Sequence, residues 1–207
     1  MDSIYSKKGL SLMEVSTNKT YHISIGSVLN AKIQHDVHIW QEFNSSFKNR
    51  ELTLAEIAST LNDGHAISVC YDPQIRKAEN YKLGQHICLD FDDDGKLGTI
   101  DGLMEDTFIK KYAAIICTAE SHATDRQKSR AIFLLDSPIY QIENYALSAS
   151  SLLWLFSTAD NQCKDPTRFF YTGNPRISEI KCLKNELPLI LVKDLIQRYQ
   201  SIKRSCR

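Results

Sequence analysis

Residues 87–101 read ICLDFDDDGKLGTID, and two incompatible structures fit them. In one, Asp90, Asp92, Asp94 and Asp101 are ligands of a helix–loop–helix calcium site, with Gly95 at its sharp turn. In the other, the apolar run is a strand, and Asp90 and Asp92 lie on one face of its end. The flanks favour the strand. A calcium loop of that kind is entered from a helix, whereas Gly84-Gln85-His86-Ile87-Cys88-Leu89 joins a glycine to a short apolar run. The twelfth loop position is Asp101 rather than a bidentate glutamate, and no second such loop occurs in the chain. Two carboxylates on one face repel each other unless a cation stands between them. A divalent ion holding phosphate oxygens would serve, and removal of both acids is then expected to leave the fold intact. The plain alternative is a solvated turn at Asp93-Asp94-Gly95.

The chain has 207 residues, of which 43% are hydrophobic and 24% charged, enough for a sizeable core. Lys plus Arg and Asp plus Glu both number 25, so a nucleic-acid partner would need a local basic face. None of the six cysteines forms a CxxC pair, and no zinc is expected. Cys70, Cys88 and Cys117 sit in apolar runs and read as buried free thiols of a reducing compartment. The first residues lack the pattern of a secretory signal, and no apolar run approaches the ~20 residues of a membrane span. A cytoplasmic location without membrane contact is expected.

Strands are expected around Gly26, at 66–72, 86–92, 113–119, 130–136 and 168–173. Thr53-x-x-Glu56 opens a helix over 53–62, and Asp63-Gly64 ends it. Further helices are expected over 101–112, over 140–156, and after Pro188 with a basic end at Arg198, Lys203, Arg204 and Arg207. The irregular alternation predicts an α+β fold with a mixed sheet.

Two further stretches carry chemistry. TAESHATDRQKSRAIFLLDSPI (118–139) sets Ser121-His122 ahead of Lys128 and Arg130, which share one face of an extended segment. Cations and an imidazole beside paired carboxylates form a cradle for a triphosphate. A loop histidine and a solvated hairpin flank are the plain alternatives. STADNQCKDPTRFFYTGNP (157–175) supplies Asp160, Asp165 and Arg168. A third carboxylate would complete a metal site; a helix end with an Asp-Pro turn is the alternative.

At these three stretches the chain resembles the archaeo-eukaryotic primase superfamily, in its compact primase-polymerase form. Asp90-Phe91-Asp92 resembles the family's first motif, Ser121-His122 with Lys128-Ser129-Arg130-Ala131-Ile132-Phe133 its second, and Ala159-Asp160 followed by Arg168-Phe169-Phe170 its third. The segment LTLAEIASTLNDGHAI, with Arg76 and Asn80 beyond it, resembles the N-terminal unit. The likeness spans about residues 50–175. It departs at Ala119-Glu120 and at Ala159, and Asp165 competes with Asp160 for the third acid.

The resemblance implies an RRM-like catalytic module (about 86–185) with a mixed or antiparallel sheet, beside an N-terminal α/β unit (about 1–85). Residues 186–207 would form a basic amphipathic helix, of the kind that links to a further domain. It implies a DNA primase/polymerase acting on single-stranded template with nucleoside triphosphates, in company with a helicase domain or protein. Asp90, Asp92 and Asp160, with Asp165 as runner-up, would hold two Mg²⁺ or Mn²⁺ ions. Ser121, His122, Lys128, Arg130 and Arg168 would bind the nucleotide. A metal-dependent nuclease and a non-catalytic calcium- or nucleic-acid-binding module are the rival readings.

Overall fold

Residues 19–29, 36–92, 95–119, 128–172 and 179–205 are described by the computed structural model. Tyr21 and Ile23 turn inward from β1 (Thr20–Val28) by the alternation of an extended chain. Asp36 caps α1 (Val37–Ser46), its Oδ1 accepting from the backbone of His38 and Ile39. After β2 (Lys48–Thr53), Thr53 and Glu56 form the capping box expected for α2 (Leu54–Asn62). Gly64, at φ 82°, turns the chain into β3 (His65–Ser68). These strands form an antiparallel sheet in the order β2-β1-β3.

The single strand expected over 66–72 is divided. It breaks at Val69, and β4 (Cys70–Tyr71) enters a second sheet with β5 (Tyr81–Phe91). The helix expected over 101–112 is also divided, into α3 (Ile100–Glu105) and α4 (Thr107–Tyr112). Asp106 separates them, because its side chain caps α4 by accepting from the Ile109 N–H. Then follow β6 (Ile115–Thr118), β7 (Ser129–Ile139), α5 (Ile142–Leu155), β8 (Ile180–Cys182) and α6 (Leu189–Ser205). The second sheet runs β4-β5-β7-β6-β8. Among the described residues every strand pair in both sheets is antiparallel, which agrees with the α+β fold and the mixed or antiparallel sheet expected for it. Of the strand expected at 168–173, the described residues 168–172 form one bridge, Phe170 to Ile67. The position 85/86 falls inside β5.

β5 is buried without interruption from Leu83 to Phe91, because α5 packs on it and β1 also approaches it. Gly84 lets α5 come close: a Cβ there would meet the Tyr145 ring at 2.5 Å. Cys70, Cys88, Cys117 and Cys163 are buried free thiols, while Cys182 is exposed. No helix among the described residues is long and apolar enough to cross a membrane.

The core contains one costly residue. His86 is fully buried on β5, and neither ring nitrogen has a hydrogen-bond partner among the described residues. Burial pushes its pKa down from 6.5 to about 4. The unfolded chain therefore takes a proton first as pH falls. Stability is retained above pH 6.5 and drains away as pH drops toward 4, by about 3 kcal/mol in all. Urea unfolding at pH 7 and pH 4.5 is expected to show this loss in the wild type. His86→Leu should lose about 2 kcal/mol less between the two pH values. Equal pH dependence in the two proteins would remove His86 as the cause.

Candidate active site

The β5–β7 register places Asp90 opposite Arg130 and Phe91 opposite Ser129. Continued by one step, it sets Asp92 opposite Lys128, whose Nζ lies 3.0 Å from Asp92 Oδ2. Alternation on both strands therefore puts two carboxylates and two cations on one face. Arg130 Nε donates to Asp90 Oδ1 at 2.5 Å, and its Nη1 donates to the Tyr171 carbonyl at 2.8 Å. Its guanidinium stands over the Phe170 ring, 5.0 Å from the centroid.

The 157–175 stretch reaches the same place. The Asp160 N–H donates to the Asp90 carbonyl at 2.8 Å, and the Asp90 N–H donates to Cys163 Sγ at 3.3 Å. These bonds lay the third motif against the end of β5. Arg168 Nη2 then sits between two acids, 3.1 Å from Asp90 Oδ2 and 2.8 Å from Asp160 Oδ2. Its Nη1 donates to Gln162 Oε1 at 3.1 Å. Asp165 turns elsewhere: its Oδ1 accepts from the backbone and hydroxyl of Thr167. Of the two candidates for third acid, Asp160 is the one that meets Asp90.

The carboxylates are therefore kept apart by the protein's own cations, where the sequence suggested bare repulsion. The cluster has a closed and an open side. The Asp90 and Arg130 side chains are only 6% and 5% exposed, against 44% for Asp92, 24% for Asp160 and 22% for Arg168. Burial, the largest single effect, would lower the Arg130 pKa, but its surroundings, with Asp90 foremost, together hold the guanidinium above its ordinary value. For Arg168, burial is likewise overcome, chiefly by Asp90 with help from Asp160.

Ser121 and His122 lie outside the described residues. Asp93 and Asp94 also lie outside the described residues; the lead-in to the acidic stretch is β5 rather than the helix that the calcium reading requires. Asp101 belongs to α3, 3.7 Å from Lys181 Nζ. Sequence reasoning missed Gln162, Cys163 and the Tyr171 carbonyl, all of which hold the cluster. Only their nearness to Asp160 and Arg168 along the chain hinted at them.

The donor set suits a hard divalent cation, since every acid offers only carboxylate oxygens. Asp90 and Asp160 already share one cationic nitrogen, so this pair fits a common cation. Asp92 does not join them in this arrangement: among the described residues no group of three or more His, Cys, Asp or Glu side chains is placed to hold a metal ion.

No protein-family model matches the chain, and no curated protein sequence matches it. Two solved structures are similar to it. One is the AEP domain of the cyanophage S-2L primase-polymerase, with a TM-score of 0.49 and 12% identity over 84% of this chain and 88% of that one. The other is the primase RepB′, with a TM-score of 0.45 and 15% identity over 90% of this chain and 60% of that one. The chain thus spans less than two thirds of the RepB′ chain. Both likenesses concern the path of the backbone.

Proposed function

We propose that this chain is a primase-polymerase, a nucleotidyltransferase that adds nucleotides from (d)NTPs to a strand paired with a single-stranded DNA template. One observation carries the reading. Three acids and three cations from segments far apart in sequence meet at one partly open end of the second sheet. Phosphoryl transfer needs such a mixture: oxygen ligands for a metal, and cations for the phosphates. The motif resemblance points the same way, and the names of the two similar structures agree with it.

In this reading Asp90 and Asp160, with Asp92 beside them, hold Mg²⁺ or Mn²⁺. When bound, the ion supplies positive charge where phosphate oxygens become more negative. Arg168 stands on the open side and binds the triphosphate; Lys128 is buried, its side chain 9% exposed, and reaches that side only where its Nζ pairs with the exposed Asp92. Arg130 takes a different part from the one expected. Its guanidinium is spent on Asp90 and the Tyr171 carbonyl and is almost fully buried, so it positions Asp90 rather than gripping nucleotide.

Primer extension on single-stranded DNA with Mn²⁺ and dNTPs or NTPs tests the reading. The wild type is expected to elongate a labelled primer. Shortening of the strand without nucleotides would instead identify a nuclease. No change in length would leave a binding module.

A further inference from the structure

We infer that Arg168 is a latch: in the free protein its guanidinium occupies the divalent-cation position between Asp90 and Asp160, and the arriving cation releases it to the triphosphate. The inference rests on the functional reading above and adds how the site is loaded. The argument begins with exclusion. Arg168 Nη2 lies 3.1 Å from Asp90 Oδ2 and 2.8 Å from Asp160 Oδ2. A Mg²⁺ ion sits about 2 Å from each carboxylate oxygen that it binds. An ion bridging those two oxygens would fall in the space that Nη2 and its protons fill, and two positive charges would then nearly touch. Arg168 and a bridging cation are alternatives.

Arg168 is also the residue that can leave. Arg130 is locked by the Asp90 bond, the Tyr171 carbonyl and near-complete burial. The Arg168 side chain is 22% exposed. Its backbone is anchored, the N–H donating to the Asp165 carbonyl and the carbonyl accepting from Ser68 Oγ. Beyond the two acids its head group meets, among the described residues, a neutral acceptor, Gln162 Oε1, and the Phe170 ring at 5.8 Å. Displacement thus moves a side chain and leaves the fold in place. Meanwhile Arg130 keeps Asp90 Oδ1, so Asp90 stays aimed at the vacated position.

Coupling follows. The cation frees a guanidinium, and a guanidinium at the open side is suited to bind phosphate. Cation and nucleotide should therefore bind cooperatively, and the coupling must be reciprocal. The latch also keeps Asp90 and Asp160 together without a metal, which bare carboxylates would resist.

The test is calorimetric titration of Mn²⁺ into nucleotide-free protein, repeated with saturating non-hydrolysable nucleotide. In the wild type, nucleotide is expected to tighten Mn²⁺ binding about tenfold or more. In Arg168→Ala, Mn²⁺ should bind the free protein about tenfold tighter than in the wild type, and the coupling should vanish. Lys128→Ala is the control for simple charge removal: its coupling should persist. If Arg168→Ala does not fold, Gln162→Ala keeps every charge but loosens the latch, and should tighten Mn²⁺ binding about threefold. Equal or weaker Mn²⁺ binding in Arg168→Ala, or coupling that survives in it, overturns the latch and leaves the functional reading to primer extension. Absence of Mn²⁺ binding in the wild type and every variant overturns both.

Discussion

Asp90→Ala is expected to lower the unfolding free energy by about 3–5 kcal/mol, the cost of breaking a buried ion pair from one side. The sequence suggested the opposite, since removing one of two like charges ordinarily relieves strain. The structure reverses the sign because Asp90 is the shared partner of two guanidinium groups. Without it, Arg130 keeps its charge in a site only 4% exposed, with the Tyr171 carbonyl and the Phe170 ring as its remaining contacts. Asp92→Ala provides the contrast. That side chain is 44% exposed, so water can take its place beside the Lys128 Nζ, and its loss should cost about 1–2 kcal/mol, less than that of Asp90. Urea denaturation at pH 7 measures both. A second check is Asp90→Ala combined with Arg130→Met, which removes the stranded charge and should recover much of the loss. Equal stability of Asp90→Ala and Asp92→Ala would show that the buried cluster contributes nothing to folding.

The largest effect on activity is expected from Asp160→Asn. Its Oδ1 accepts from the Gln162 N–H, and an asparagine oxygen can keep that cap. The substitution thus removes one charge at the position that Asp90 and Asp160 share, with little disturbance of the backbone. A metal ion contributes several kcal/mol to stabilising charge in such reactions. Loss of one of its acids should slow primer extension by about a hundredfold or more. Asp165→Asn should extend at nearly the wild-type rate, because Asp165 faces Thr167 and not the cluster. Rates are compared at matched protein concentration after circular dichroism shows folded protein. If Asp165→Asn loses activity and Asp160→Asn keeps it, the third acid has been wrongly chosen.

Local signals were legible wherever the physics is local. The capping box at Thr53 and Glu56 needs only four residues in register, and it marks the start of α2 as expected. ICLDFD reads as strand because a glycine and a short apolar run lead into it, and Ile87 to Phe91 form the end of β5. Alternation alone places Lys128 and Arg130 on one face, and both meet acids of β5. The same reasoning failed where a tertiary contact outweighed a local pattern. Residues 66–72 look like one strand, but they part at Val69 because each half pairs with a different sheet. Residues 101–112 look like one helix, yet the Asp106 side chain competes for backbone donors and splits it.

The site divides in the same way. The sequence by itself determined which acids and cations were candidates, and that Asp90 and Asp92 stand at a strand end. It could not choose Asp160 over Asp165, because that choice depends on a backbone bond from Asp160 to the Asp90 carbonyl, across 70 positions. Nor could it show that Arg168 would reach Asp90, 78 positions away, or that Arg130 would be buried against Tyr171. Periodicity reports how a residue stands relative to its near neighbours. Which distant charge it meets depends on strand register and chain closure, and only the packed tertiary structure decides those.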